Sequence, residues 1–208
     1  MDKEQLLKIS KTHHLMPPVV YGLLALLMTI SVLYRESLPV SKIISLLIGG
    51  ALSWTLIEYL LHRFSFHIET KNERLKLWLA GLHLLHHEIP NRADYVVAPL
   101  LMSLPLYLFI LGISALITRD LSVTGLWGSG IALGYLTYEW IHYATHHRPA
   151  KTKIMKYLKR HHLLHHFKDS NSYFGVSSPF WDIVFDTKPE FDPSRESEIL
   201  PITSRARS

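Results

Sequence analysis

The segment Leu121–His147 reads LSVTGLWGSGIALGYLTYEWIHYATHH. Its first part, Leu121–Ile141, is an apolar run long enough to cross the hydrocarbon core of a bilayer, which takes about 20 residues of helix. A single acid, Glu139, stands near its last turn. His142 and His146 follow at once, four residues apart, the spacing at which one helical face presents two imidazoles to one ion. An apolar helix that ends in a chelating pair is the unit from which the rest of the chain is read.

The same unit occurs earlier. Val40–Leu61 is apolar, carries Glu58 near its end, and runs into His62 and His67. Two more apolar runs, Pro17–Tyr34 and Val96–Ile117, bring the predicted spans to four. Short polar breaks at Leu38-Pro39 and Arg119-Asp120 suit tight turns, so the spans pair into two antiparallel hairpins. The fold class expected is an all-α integral membrane protein. The organisation expected is a polar N-terminal segment (1–16), a membrane domain (17–187) and a polar, flexible tail (188–208). Met1–Met16 shows no cleavage pattern, so the first apolar run is expected to stay as a helix.

Charge orients this arrangement. If the N-terminus is cytosolic and all four spans cross, the cytosolic stretches hold nineteen of the 22 Lys and Arg, and the opposite side holds Arg35, Lys42 and Arg119. That is a positive-inside asymmetry. Every histidine cluster then falls at or beyond the cytosolic face. The host membrane would be the endoplasmic reticulum in a eukaryote or the inner membrane in a bacterium. The basic run Lys151–Arg160 follows a membrane helix, which favours lipid headgroups or an acidic protein over nucleic acid.

Ten of the 14 histidines form four clusters: His62 and His67; His83, His86 and His87; His142 and His146; His162, His165 and His166. Neutral imidazole is the commonest protein ligand for zinc, copper, iron and nickel. Ten ligands suit two ions of five nitrogens each. A helix over Asn72–His87 and an amphipathic helix over Lys151–Phe167 would each turn an HxxHH group to one face. His62 and His67 lie about 140° apart on an ideal helix, so the helix is predicted to end or loosen near Arg63–Phe66. His13 and His14 lie outside the pattern, and His147 and His161 fall off the predicted faces. Glu58 and Glu139 are candidates to hold the second N–H of a ligand imidazole, with Asp182 and Asp169 weaker ones. Tyr138, Tyr143 and Tyr173 are candidates for the substrate entrance or for the interfacial aromatic belt. Ser177-Ser178-Pro179 reads as a turn, and Phe180, Trp181 and Phe185 as an aromatic anchor near the headgroups.

The sequence also excludes chemistry. It has no cysteine, so disulfides, thiolate metal sites and c-type haem attachment are ruled out. A zinc hydrolase would use three ligands and an HExxH base, and His87-Glu88 is followed by Ile89-Pro90 instead. A metal transporter or scaffold would hold its ligands near the bilayer midplane on broken helices, whereas these cluster at one face.

The histidine motifs resemble those of the fatty acid hydroxylase superfamily, most closely its fatty acid 2-hydroxylase branch acting on sphingolipid acyl chains. The resemblance runs from about Leu52 to Thr187. It rests on Glu58-Tyr59-x2-His62-Arg63-x3-His67, Gly81-x-His83-x2-His86-His87, Tyr135-x2-Tyr138-Glu139-x2-His142-Tyr143-x2-His146-His147, His161-His162-x2-His165-His166-Phe167, and the run Phe174–Thr187. It implies a cytosolic helical cap over four membrane helices and two metals on the ten histidines. Iron would be expected for activity, zinc could occupy the same nitrogens, and O2 would be the co-substrate. In each HxxHH the i, i+4 pair can bind one ion while the middle histidine reaches the other. One ion would then take His62, His67, His83, His87 and His165, and the other His86, His142, His146, His162 and His166. The chain has no His-Pro-Gly-Gly haem motif, so electrons are expected from a separate cytochrome b5-like or ferredoxin-like donor with its reductase. The expected reaction is 2-hydroxylation of a fatty acyl chain, free or in a ceramide. Hydroxylation or desaturation of a sterol, sphingoid base or carotenoid by the same centre is the alternative.

Overall fold

The computed structural model describes residues 11–79 and 81–189. Among these the chain is helical, with no strand. Helix α1 (Met16–Arg35) opens with Pro17 and Pro18 in its first turn, where a missing N–H costs nothing. α2 (Val40–Leu60) starts after Pro39 and passes directly into a π-helical turn, Leu61–Phe66. The predicted helix Asn72–His87 is instead two short ones, α3 (Glu73–Leu79) and α4 (Gly81–Glu88).

A 3-10 turn, Ala93–Tyr95, precedes α5 (Leu100–Thr118). The span expected from Val96 therefore begins four residues late, because Pro99 sits at the N-cap and Val96–Pro99 stay extended or irregular and largely buried. Arg119 adopts a left-handed conformation (φ 51°), and Asp120 caps the next helix by accepting from Ser122 N (2.8 Å) and Val123 N (3.0 Å). These two residues make the tight turn foreseen between the third and fourth apolar runs. α6 (Leu121–His147) then runs two turns beyond the predicted end at Ile141. α7 (Lys153–Phe167), capped by Thr152, and the short α8 (Phe180–Val184) complete the described chain.

Among the described residues, three helical segments are long and apolar enough to cross a membrane: Met16–Arg35, Val40–Phe66 and Ala93–Thr118. α6 has the length, but glycines, hydroxyls, Glu139 and the terminal histidines dilute its apolar content. Its place in the packing explains that composition. It is the central helix, seated against α1, α2 and α5 in one half and α7 in the other. Leucines and isoleucines such as Leu23, Leu27 and Ile48 point outward from the bundle, as they do where the surroundings are lipid.

Small residues set the approach of α2 to α6. A Cβ on Gly50 would lie 2.1 Å from Trp127 O, and one on Gly130 would lie 2.2 Å from Leu47 O. Backbone contact of this kind replaces the hydrophobic drive that lipid removes. Hydroxyls add to it: Ser129 donates to Ala25 O (3.1 Å) and Tyr107 to Gly128 O (3.0 Å). Beside them Tyr21, Trp54, Tyr107 and Tyr135 pack edge to face.

Candidate dimetal centre

The helix distortion at the end of α2 decides the site. In the π-helical turn His67 N donates to His62 O (3.3 Å), a bond spanning five residues. Residues five apart are thus nearly one turn apart, and the two imidazoles face the same centre instead of diverging. The loosening predicted near Arg63–Phe66 takes this form.

All ten clustered histidines converge, in two groups. His62, His67, His83, His87 and His165 form the first nest, and His86, His142, His146, His162 and His166 the second. Within each nest one nitrogen from every ring lies within 4.8 Å of the others. The grouping coincides with the partition set out above, with the i, i+4 pair of each HxxHH in one nest and its middle histidine in the other. α2 and its π turn, α4 and α7 build the first nest; α4, α6 and α7 build the second. The nests abut, with the rings of His87 and His166 stacked at 4.0 Å.

The contacts inside the nests are not hydrogen bonds in any ordinary sense. His83 Nε2 lies 3.0 Å from His62 Nε2, 3.0 Å from His67 Nε2 and 2.9 Å from His87 Nε2. A neutral imidazole has one N–H, so one nitrogen cannot satisfy three such neighbours. The second nest repeats the pattern, with His86 Nε2 3.1 Å from both His142 and His146, and His162 Nε2 2.8 Å from His146 and 3.0 Å from His166. Lone pairs converging without a cation repel. Nitrogens bound at about 2.1 Å to one ion at right angles are about 3.0 Å apart, which is the spacing found. The donor set therefore fits a metal ion in each nest.

Tautomers agree with this. His62 Nδ1 donates to Phe174 O, and His165 Nδ1 to Ser172 O (2.7 Å), which leaves each Nε2 bare toward the centre. Burial, which penalises the imidazolium, holds His83, His86, His162, His165 and His166 well below the usual histidine range. It lowers His67 to about 4 and His87 to about 3. The rings are thus neutral, the form that binds metal.

The carboxylates act at one remove. Glu58, buried on α2, accepts from Val176 N (2.6 Å), Ser177 N (2.8 Å) and the Ser177 hydroxyl. Asp182, fully buried on α8, accepts from Phe174 N (2.8 Å), Gly175 N (2.8 Å), Thr187 Oγ1 (2.8 Å) and His161 Nε2 (3.1 Å). Both grip the loop whose carbonyls hold His62 and His165, where a direct bond to a ligand ring had been expected. Glu139 accepts from Ala98 N (3.2 Å) and so ties the start of the third span to α6. Asp169 accepts from Asn171 N (3.0 Å) and the Ser172 hydroxyl (2.6 Å), in the same loop. The carbonyls of Phe174 and Ser172 were missed from sequence because a backbone atom leaves no signature in residue type.

A cavity of about 130 Å³ opens beneath the nests. His83, His86 and His142 form one end, and Trp54, Met102 and Leu106 line the part between α2, α5 and α6. Of the three tyrosines considered for the entrance, Tyr138 lines this cavity. Tyr143 stacks on His14 instead (5.0 Å), and Tyr173 is buried with its hydroxyl on Pro189 O (3.0 Å). His161 and His147 belong to neither nest. The aromatic anchor is half as expected: Phe180 and Phe185 are exposed, while the Trp181 indole donates to Thr55 Oγ1 (3.0 Å) on α2. Tail residues beyond 189 and residues 1–10 lie outside the described chain.

Fold and site together define a helical protein with membrane-length apolar helices and paired histidine-only nests that could each hold a metal ion. Comparison with known proteins agrees. The fatty acid hydroxylase family model matches residues 47–187, and the chain belongs to that family. It is 35% identical to a dihydroceramide fatty acyl 2-hydroxylase of Arabidopsis thaliana over 78% of this chain and 67% of that one. It is 34% identical to a ceramide very long chain fatty acid hydroxylase of Schizosaccharomyces pombe over 86% of this chain and 52% of that one. A fatty acid 2-hydroxylase of Rattus norvegicus is 34% identical over 78% of this chain and 45% of its own length. The chain thus spans about half to two thirds of these relatives. Among solved structures, full-length Scs7p, with only the hydroxylase domain visible, matches with TM-score 0.74 and 28% identity, over 88% of this chain and 69% of that one.

Proposed function

We propose that this protein is an O2-dependent lipid hydroxylase that places a hydroxyl on C2 of a fatty acyl chain, free or in a ceramide. The observation that carries this reading is the cavity that joins both nests to the interior of the apolar bundle. The named relatives, three of them 2-hydroxylases or ceramide hydroxylases, support the choice of substrate.

Two iron ions in the nests would supply the oxidising power that no side chain has. Zinc can take the same nitrogens and would not mark the working state. The protein's own contribution is placement. Trp54, Leu61, Met102 and Leu106 offer an apolar wall for the acyl tail, and His83, His86 and His142 mark the end where C2 would lie. The polar head then stays at the face that carries the nests, which keeps C2 close to that end and excludes water from the rest. Tyr138, 5.6 Å from the His142 ring, borders the reacting end and limits how the chain can turn there.

All four long helices are taken to cross the membrane, α6 included, with the nests on the cytosolic side. The nineteen-to-three division of Lys and Arg supports that orientation. Electrons come from a separate donor with its reductase. The test is mass spectrometry of lipids from cells expressing the chain beside a His86→Ala control. A new acyl species heavier by one oxygen, fragmenting at C2 and absent from the control, is expected. An oxidised sterol or a new double bond would redirect the same centre to another substrate.

A further inference from the structure

The two nests are not held alike. In the first, two rings donate their outer N–H to backbone carbonyls: His62 to Phe174 O and His165 to Ser172 O. Both carbonyls belong to the loop between α7 and α8. In the second, the Nδ1 atoms of His86, His142, His162 and His166 are buried and make no hydrogen bond among the described residues, the Val96 backbone standing near the His142 ring without closing one.

The carbonyl-bearing loop is itself clamped from two sides. Glu58, one turn before His62, takes the N–H groups of Val176 and Ser177. Asp182 takes those of Phe174 and Gly175, and is fixed by His161 and Thr187. The fit is tight, since a Cβ on Gly175 would lie 2.0 Å from Ser178 O and 2.8 Å from Asp182 Oδ2. Phe174 is the link, with its N–H on Asp182 and its carbonyl on His62. Tyr173, just before it, holds a left-handed backbone (φ 61°) that its N–H bond to Thr187 O (2.8 Å) sustains.

A ring whose outer N–H is fixed has one tautomer and one orientation, and needs no reordering to receive an ion. Loss of such an outer partner typically weakens metal affinity about 10–100-fold. We propose that the loop Ser172–Ser177, latched by Asp182 and Glu58, is a tautomer lock for the first nest alone. The first nest therefore binds metal more tightly and releases it more slowly than the second. Asp182, Glu58 and His161 are positioning residues in this scheme; none touches an ion.

The inference rests only on the nests being metal sites, and its readout is metal content, not product. The full chain, purified in detergent and loaded with Zn²⁺, is challenged with chelator, and zinc per chain is counted over time. Release in two phases of one equivalent each is expected, the slower about 10-fold or more behind the faster. His166→Ala should remove the fast equivalent and leave the slow one, which assigns the phases. Asp182→Asn should speed the slow phase to the rate of the fast phase or beyond, with the fast phase unchanged. Ser177→Ala, which removes one bond to Glu58 and leaves the fold intact, should speed it by a smaller factor. Single-phase release from the parent protein would overturn the proposal. So would an Asp182→Asn protein whose slow phase keeps the parent rate, or one whose fast phase speeds up as well, since a general scaffold would act on both nests.

Discussion

The membrane half and the histidine half of this molecule are built on opposite rules. In the bundle, α2 and α6 meet through the absence of side chains at Gly50 and Gly130, and the chain's large apolar groups turn outward. In the histidine half, ten polar rings turn inward onto two points, where a bound ion in each nest would relieve their mutual repulsion. One half is organised by what the solvent lacks, the other by what the site must hold. The cavity connects them, with histidines at one end and apolar walls at the other.

That contrast can be broken at several points. The largest effect should come from a ligand. His86→Ala removes a second-nest ligand that also borders the cavity, and turnover should fall below detection while the bundle stays helical. Activity within about 10-fold of the parent would break the link between nests and chemistry. Next comes the helix contact: Gly130→Val forces α2 from α6 and should cost about 1–3 kcal/mol, read as loss of thermal stability before loss of metal. A tolerated valine would show that the contact is not close in the working protein.

Acid should act on the histidine half. His67 and His87 have folded values of about 4 and about 3 against an ordinary 6.5, because burial disfavours their charged forms. A histidine depressed in the folded state contributes stability that is complete above about 6.5 and lost as pH falls toward 4 and 3. Thermal midpoints of the metal-free protein should be flat above neutrality and decline below about pH 6.5. A midpoint that rises on acidification would contradict the burial of these rings. The smallest effect is expected at Tyr143, which lies outside the cavity, stacked on His14 and tilted against His147. Tyr143→Leu should change activity by no more than about twofold, roughly 0.5 kcal/mol, whereas Tyr138→Leu, at the reacting end, should change it more.

What could be read without the structure divides along the same line. Apolar runs, prolines at helix starts and the charged turns are local, so the long helices of the bundle were legible, the C-terminal end of α6 excepted. The convergence of the histidines was legible because residues three or four apart share a helix face. Even the π turn was foreshadowed, since His62 and His67 cannot meet from an ideal helix. The break between α3 and α4 and the late start of α5 at Pro99 depend on tertiary packing, and periodicity does not record it. The roles of Glu58 and Asp182 were visible as residue types but not as contacts, because their partners are backbone N–H groups more than a hundred residues away for Glu58. Tyr173 shows the reverse: an aromatic beside a metal motif suggests an entrance, and a left-handed backbone turns it inward.

The most direct test of the two-nest account is metal analysis of the purified protein loaded with iron or zinc, joined to X-ray absorption at the metal edge. The account predicts two ions per chain, each with a first shell of imidazole nitrogen near five in number. A single ion per chain, or a shell dominated by carboxylate oxygen, would contradict it.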